Sequence, residues 1–295
     1  PTAIRLAAAD ALDDAAAALR ELSDASAAKG REFADVVKMG RTHLMDAAPV
    51  TLGWEFDGWA AVAAESYTLA LASAAPVLDG RVDDACWASA TTLERFVMLG
   101  GAEPPEAERV ATRAMILADR EYLYLGVRCE EPFIDKMAVR HRERDSDVWQ
   151  DDVVEFMVMP CPRDVGLYVQ FCVNPAGALL DGALAGPAAR LERGYDSGAE
   201  VKAQVGAGEW SVEMRVPLAG LPVQSWQGPW YFHVARSRRA VSQSLTSLQT
   251  PVSGFHDLGA YAELTGIEAL GLPFGLSGFS LGALMYGGNA CSFAV

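Results

Sequence analysis

The stretch EVKAQVGAGEWSVEMRVPL, Glu200 to Leu218, decides the fold of the chain. Its apolar residues stand at every second position on both sides of a glycine-rich turn at residues 206–208. These positions are Val201, Ala203 and Val205, then Trp210, Val212, Met214 and Val216. A period of two is typical of a strand with one buried face, and a short turn between two such runs predicts a β-hairpin.

The same period continues on both sides of this hairpin. ATRAMILADREYLYLGVRCEEP (111–132) predicts a second hairpin that turns at ADRE. Further strands are predicted in DDVVEFMVMP (151–160), GLYVQFCVNPAG (166–177), PWYFHVARSR (229–238) and AYAELTG (260–266). Many short strands separated by glycine and proline favour an antiparallel sandwich or barrel. Trp87, Trp210 and Trp230 are predicted to lie in its core.

The N-terminal part follows a helical pattern instead. Residues 2–38 are rich in alanine, with leucines at helical spacings, and predict an amphipathic helix. Pro49 and Thr51 predict the start of a second helix from about Leu52 to Leu71. The predicted fold class is therefore mixed and mainly β: an antiparallel β-sandwich preceded by an α-helical hairpin segment.

The change of period divides the chain into three predicted parts. Residues 1–74 form the helical segment, residues 75–266 form the sandwich, and residues 267–295 form the start of a further β domain cut off at Val295. Because the chain begins at Pro1 inside a helical pattern, we also expect neighbouring domains or chains that are missing here.

Charge and cysteine content exclude several classes of function. The formal net charge of -15 argues against nucleic acid and anionic membrane surfaces as partners, because both attract basic proteins. A neutral ligand such as a sugar is compatible with this charge. The five cysteines form no C-x-x-C pair, and Cys129 and Cys172 lie in apolar runs that predict buried core positions.

The run GRTHLMDAAPVTLGWEF, Gly40 to Phe56, resembles the first signature region of the fumarase/aspartase superfamily, and the resemblance extends over about residues 1–72. It implies that Thr42 and His43 lie at a carboxylate substrate, with the histidine moving a proton. The serine-loop motif of that family, GSS-x-MP-x-K-x-NP, does not occur in the chain, and Met45 and Trp54 stand where glutamine is usual. The resemblance therefore implies a lyase subunit fragment that is inactive alone.

Residues 76–265 resemble the family 9-type carbohydrate-binding modules. The resemblance rests on PVLDGRVDDACWASA, RDSDVWQDDVVEFMVMP, YVQFCVNPAGALLD, WSVEMRVPL and GFHDLGAYAELTG, which occur in the family's order. It implies non-catalytic binding of a saccharide by a β-sandwich that belongs to a larger carbohydrate-active protein. The alternatives left open are the lyase fragment and a purely structural β domain of a hydrolase.

Sugar binding needs an exposed aromatic face and fixed polar groups for the hydroxyls. Trp149, between acidic residues at a predicted corner, is the first candidate for the aromatic platform, with Trp226 as the second. Asn174, Asp181 and Arg236 are candidates for binding hydroxyls, although each is equally compatible with a turn or surface role.

Four aspartates cluster within eight residues: Asp145, Asp147, Asp151 and Asp152. Calcium prefers such oxygen ligands, so these residues are the candidate metal site, although their spacing matches no known loop type. No cofactor is required for sugar binding, and calcium is the one ion that the pattern suggests. The carbohydrate-binding interpretation implies a secreted or periplasmic protein, whereas the lyase interpretation implies a cytoplasmic one.

Overall fold

The computed structural model of the protein describes residues 28–42, 45–53, 66–99, 109–163, 165–186, 194–248 and 254–270, together with residues 22, 25, 26, 56, 191 and 192. Its strands are β1 Val37–Thr42, β2 Met45–Thr51, β3 Ser66–Thr68, β4 Ala70–Leu71, β5 Thr91–Leu93, β6 Val97–Met98, β7 Thr112–Ala118, β8 Tyr122–Glu130, β9 Val153–Met159, β10 Leu167–Val173, β11 Leu179–Ala185, β12 Glu200–Val205, β13 Glu209–Pro217, β14 Trp230–Arg238, β15 Ser244–Ser247 and β16 Ala262–Thr265. Short 3-10 helices lie at Ala85–Ser89, Ile134–Lys136, Val148–Gln150, Leu218–Gly220, Leu258–Ala260 and Ile267–Ala269.

Two sheets pack face to face. The first has eight strands in the order β11-β10-β9-β14-β15-β6, with β16 also paired to β14 and β3 paired to β16. The second has six strands in the order β12-β13-β8-β7-β4, with β5 also paired to β7. The hairpin β12–β13 turns at residues 206–208 and the hairpin β7–β8 turns at residues 119–121, which confirms both hairpins predicted from the sequence.

The main hydrophobic core lies between the two sheets; the predicted alternation holds in β13, whereas Val205 of β12 is exposed. Phe156, Phe171 and Phe232 extend from the first sheet and join Trp210 and Val212 of the second in one buried cluster. Each large side chain of this kind contributes about 1.5–3 kcal/mol by leaving water. The core positions predicted for Trp87, Trp210 and Trp230 are confirmed, as are those of Cys129 and Cys172.

The α-helical hairpin predicted for residues 1–74 is not supported by the structure. Residues 22, 25, 26 and 28–32 are helical, as are residues 52, 53 and 56, but β1 and β2 lie between them as an antiparallel pair in which Val37 lies opposite Thr51. Pro49 lies in β2, opposite Met39, and is tolerated because both strands of a two-stranded sheet are edges. Val37, Val50 and Thr51 are β-branched and favour a strand here, whereas Leu12 and Leu19, whose spacing predicted the first helix, lie outside the described residues.

The predicted end of the second helix also adopts strand structure. Tyr67 in β3 pairs in parallel with Leu264 of the first sheet, and Ala70 in β4 pairs with Leu117 of the second. Leu69, between them, is buried in the core of the sandwich. Residues 66–72, the connecting segment, thus bridge both sheets, and this tertiary pairing overrides helix propensity.

Both predicted boundaries of the sandwich have residues of its core just outside them. The connecting segment precedes the boundary placed after residue 74, and Ile267 and Leu270 follow the boundary placed at 266 while packing in the main core cluster. The domain assignment itself stays a prediction, and residues 271–295, the predicted start of a further domain, lie outside the described residues. Within the described residues, no helix is both long and apolar enough to cross a membrane.

Candidate functional site

Two buried aspartates organise the loop that joins β8 to β9. Asp151 Oδ2 accepts hydrogen bonds from the backbone N–H of Arg140 and His141 at 3.0 and 2.9 Å. Asp152 accepts from the backbone N–H of Ala138 at 2.7 Å and from that of Arg239, after β14, at 2.9 Å. Paired in this way, the aspartates fix the loop against the end of the first sheet.

The charge of Asp151 is stabilised inside the protein. Burial alone would raise the pKa of Asp151, but hydrogen bonds from the His141 backbone and the Asn174 amide lower it below its ordinary value. Asp151 therefore stays ionised at neutral pH and keeps the loop in its fold.

Trp149 lies on this loop with its ring directed outward. It occupies the 3-10 helix Val148–Gln150, in which Val148 is fully buried against β9, β10 and β11. Burial of Val148 anchors the short helix against the sheet. Its neighbour Trp149 points away from that contact and is 47% exposed. Among the exposed large apolar side chains of the described residues, Trp149 is the one aromatic residue. A rigid, exposed indole is what stacking against a sugar ring requires.

Arg239 accompanies Trp149, and its charge also acts on the buried Glu155 of β9. Arg239 donates from Nη2 to the Trp149 carbonyl oxygen at 3.3 Å and from Nε to the Asp151 carbonyl oxygen at 3.1 Å. Burial raises the pKa of Glu155, while a hydrogen bond from Gln170 Nε2 at 2.8 Å and the charge of Arg239 oppose the rise. We call Trp149 and Arg239 the Trp149 platform.

Trp226, the second candidate platform, lies elsewhere. It is half-buried against the main core, and its ring packs on Trp230 with centroids 5.3 Å apart at 41°. Trp226 precedes the first residue of β14, whereas Arg239 follows the last, and β14 is nine residues long. At about 3.3 Å per residue β14 spans roughly 26 Å, and the two tryptophans lie towards opposite ends of this strand, so the structure does not bring them together.

Asn174 and Asp181 are fully buried and bonded within the fold. The Asn174 amide donates to the His141 carbonyl at 2.7 Å and to Asp151 Oδ2 at 2.9 Å, and its oxygen accepts from two N–H groups of the following turn. Asp181 accepts from Arg144 Nη2 at 2.6 Å and from the Ser197 hydroxyl at 2.5 Å. These contacts serve the fold, and the predicted binding of a ligand by either residue stays a prediction.

Arg236 is likewise buried, in a cluster with Glu131 and Arg238. Glu131 Oε2 accepts from Arg238 Nε at 2.6 Å and from Arg236 Nη2 at 3.3 Å. Burial alone would raise the pKa of Glu131, but the bonds and charges of the two arginines lower it. The cluster ties β14 to the end of β8, which explains why an arginine occupies a buried strand position; its predicted ligand role stays untested.

The four aspartates proposed for calcium are divided between different tasks. Asp151 and Asp152 are occupied by backbone N–H groups, as described above. Asp145 adopts a left-handed backbone with φ of 60°, and Asp147 Oδ2 accepts from Gln150 Nε2 at 3.4 Å. No group of three or more His, Cys, Asp or Glu within the described part of the chain is arranged to hold a metal ion. Calcium binding therefore stays a prediction without geometric support.

The residues of the lyase alternative cannot be compared in the same way. Thr42 is the last residue of β1 and pairs with Met45, but its side chain lies outside the described part, as does His43 altogether. Their predicted role at a carboxylate substrate stays a prediction.

Sequence reasoning did not select Arg239 and Glu155. Glu155 is a single carboxylate in the apolar strand VVEFMVM, where Val154 and Phe156 face the core, so its side chain faces the opposite way. That isolated charge was a usable signal. Arg239 gave none, because it reaches Trp149 only through the pairing of β9 with β14, in which Val153 lies opposite Ser237.

Comparison with known proteins agrees with both resemblances. Residues 1–80 match a family described as lyase. The chain is 48% identical over 60 residues to aspartate ammonia-lyase of Helicobacter pylori and 56% identical over 61 residues to fumarate hydratase class II of Mycobacterium tuberculosis, in each case over 20% of this chain. It spans 13% of the length of each relative.

The sandwich matches a different group of proteins. A candidate carbohydrate-binding protein of Bacteroides uniformis, known from its crystal structure, is 15% identical and superposes with a TM-score of 0.55 over 68% of this chain and 98% of its own. This likeness establishes a shared β-sandwich fold. Residues 78–235, more than half of the chain, match the family described as carbohydrate family 9 binding domain-like. The protein therefore belongs to the carbohydrate family 9 binding domain-like family, with a segment similar to fumarase and aspartase preceding the matched domain.

Proposed function

We propose that the protein binds a carbohydrate non-catalytically through the Trp149 platform. The observation that carries this proposal is the exposed indole of Trp149 on a loop fixed by buried aspartates. Membership of the family and the name of the Bacteroides uniformis relative support carbohydrate as the ligand class.

The platform offers the two kinds of contact that a sugar needs. The indole ring of Trp149 packs against the apolar C–H face of a pyranose ring, which is favourable because the ring is already rigid and loses little conformational freedom. The Arg239 guanidinium donates hydrogen bonds to hydroxyl oxygens at the edge of that ring.

The test is a tryptophan fluorescence titration of the whole chain with xylo- and cello-oligosaccharides, with and without calcium. We expect a saturable change in fluorescence. Trp149→Ala should raise the Kd at least about tenfold, because the stacking surface is lost. Trp226→Phe is the matched control and should retain the affinity. A flat response of the folded wild-type chain across the panel would overturn the proposal and favour a structural β domain.

The alternative, a subunit fragment of a fumarase-type lyase, rests on the 48% identity over residues of the first segment. It predicts consumption of fumarate, followed by absorbance, when the chain is mixed with subunits that supply the remaining catalytic groups. Absence of turnover under those conditions would remove it.

A further inference from the structure

A cavity of about 410 Å³ lies at the other end of the first sheet from Trp149. Residues 161–163, which follow β9, form one wall, and the turn that precedes β14 forms the other. The lining includes Arg163, Ser225, Gln227, Pro229, Trp230 and Tyr231. We call this the Gln227 cavity; its volume falls within the range of small-ligand sites in proteins.

Both walls are held by hydrogen bonds. Arg163 donates to the carbonyl oxygens of Leu258 and of Tyr261, the latter at 2.9 Å, and its guanidinium lies 4.0 Å from the centre of the Tyr231 ring. On the opposite wall Trp230 Nε1 donates to the Ser225 carbonyl at 3.0 Å. The cavity is therefore preformed, so a ligand loses little affinity to ordering the protein.

The chemistry of the lining favours a neutral ligand with hydroxyl groups. Its described residues include no carboxylate, and the one cation, Arg163, is already bonded to backbone carbonyls and stacked on a ring. The Gln227 side-chain amide and the Tyr231 hydroxyl make no hydrogen bond to a described residue, which leaves donors and acceptors of both kinds for a ligand. The proline ring of Pro229 supplies an apolar face.

The position of the cavity makes it independent of the Trp149 platform. Tyr231 lies opposite Met159 at one end of the β9–β14 pair, and Ser237 lies opposite Val153 at the other. The platform adjoins the second end and the cavity adjoins the first. One saccharide unit cannot contact both sites, since Tyr231 at the cavity and Arg239 at the platform are eight residues apart, which is roughly 26 Å at the rise of a strand.

We propose that the Gln227 cavity is a second saccharide subsite, separate from the Trp149 platform. The class of ligand, a saccharide, rests on the proposed function, whereas the site is inferred from the cavity itself. Two sites on one chain allow it to hold two points of one polysaccharide, or two chains, and so to bind polymers more tightly than short sugars.

Indole N–H resonances of the whole ¹⁵N-labelled chain, titrated with cellobiose, report on each site separately. Trp149 reports on the platform and Trp230, whose indole N–H faces Ser225, reports on the cavity. The Trp149 resonance is assigned by its loss in Trp149→Ala, and the Trp230 resonance by its loss in Trp230→Phe. We expect both resonances to shift saturably with different apparent Kd values, and the Trp230 shift to persist in Trp149→Ala.

Variants at the cavity should act on the Trp230 response alone. Gln227→Ala should raise the Kd measured at the Trp230 resonance about three- to tenfold, as expected for one lost hydrogen bond. Tyr231→Phe removes only the hydroxyl, keeps the ring beneath Arg163 and should weaken the response less. Gln224→Ala is the matched control, because Gln224 is an exposed glutamine that does not line the cavity.

The outcomes separate the two proposals. A shift of Trp149 alone, or a Trp230 shift that disappears in Trp149→Ala, would overturn the second subsite and leave the platform in place. A shift of Trp230 alone would overturn the platform and leave the cavity. If neither resonance moves while the chain is folded, both proposals fail.

Discussion

The two regions of this chain differ in how closely they match their relatives and in how much of each relative they cover. The N-terminal segment is 48% identical to a lyase but spans only 13% of it, whereas the sandwich is 15% identical to a solved structure and covers 98% of it. The described part of the N-terminal segment exposes Val36, Val37 and Met39, while the sandwich encloses a continuous core between two sheets.

This difference shows that completeness matters more than identity for what a piece of chain can do. A catalytic site assembled from distant parts needs all of them at once, and a short segment supplies only some. A sandwich that buries its own core presents its loops in fixed positions, so it can carry a binding site alone. We therefore place function in the sandwich.

The largest effect that would test this view is the loss of the buried ion cluster of the sandwich. Glu131→Ala leaves Arg236 and Arg238 buried without their counter-ion, which should lower the free energy of unfolding by about 3–5 kcal/mol. Urea denaturation measures the loss. Glu121→Ala, at an exposed position, should change stability by less than about 0.5 kcal/mol. A loss below about 1 kcal/mol in Glu131→Ala would show that the cluster is dispensable.

The connecting segment tests where one region ends and the other begins. Leu69 is buried in the core of the sandwich, so Leu69→Ala should cost about 3 kcal/mol through lost burial and a cavity. Leu71, two residues later, is 52% exposed, and Leu71→Ala is the matched control with an expected loss below about 0.5 kcal/mol. Equal, small losses in both variants would assign the connecting segment to the N-terminal region instead.

Acid should destabilise the sandwich through His233. This histidine is fully buried against Tyr261, and burial lowers its pKa from 6.5 to about 4. Between these values the unfolded chain binds a proton that the folded chain does not, so stability is lost as the pH falls. The loss reaches about 3 kcal/mol at pH 4.

His233→Phe keeps a ring against Tyr261 and cannot titrate, which makes it the control for this effect. The stability difference between wild type and His233→Phe should therefore change with pH over the interval from 6.5 to 4. A difference that stays constant over this interval, followed by urea denaturation at each pH, would show that His233 is not the titrating group.

The smallest expected effect compares one substitution in both regions. Val37 is 69% exposed in β1, whereas Val234 is fully buried in β14. Val37→Ala should change stability by less than about 0.5 kcal/mol and leave saccharide binding unchanged, while Val234→Ala should cost about 2 kcal/mol. A cost of Val37→Ala similar to that of Val234→Ala would mean that the hairpin β1–β2 packs as part of the folded unit.

Most of the sandwich could be predicted from the sequence, because strands with one face in a core alternate visibly. The hairpin β12–β13 follows that pattern, whereas β7 to β10 and β14 are buried along most of their length and could be predicted as short apolar runs bounded by turn residues. Leu179–Ala185 in β11 is interrupted by Asp181 and Gly182, and Ser244–Ser247 in β15 is short and polar, so neither gave a signal. The connecting segment was predicted as helix because its partners, β16 and β7, are remote in sequence.

The candidate site was predictable only in part. Trp149 could be selected because an apolar ring among acidic residues is unusual in a core. The chemistry of Asn174, Asp181 and Arg236 suits both ligand binding and internal bonding, and their complete burial is visible only in the fold. Arg239 reaches Trp149 across 90 residues of sequence through sheet pairing that no local pattern reveals.

The ratio of the dissociation constants of Trp149→Ala and the wild-type chain for one cello-oligosaccharide tests the central claim most directly. This ratio isolates the contribution of the exposed Trp149 ring, on which the proposed binding function depends. We predict a ratio of at least about ten, with an unchanged value for Trp226→Phe. A ratio near one would contradict the account, since the sugar would then bind at the Gln227 cavity or elsewhere and not through the Trp149 ring.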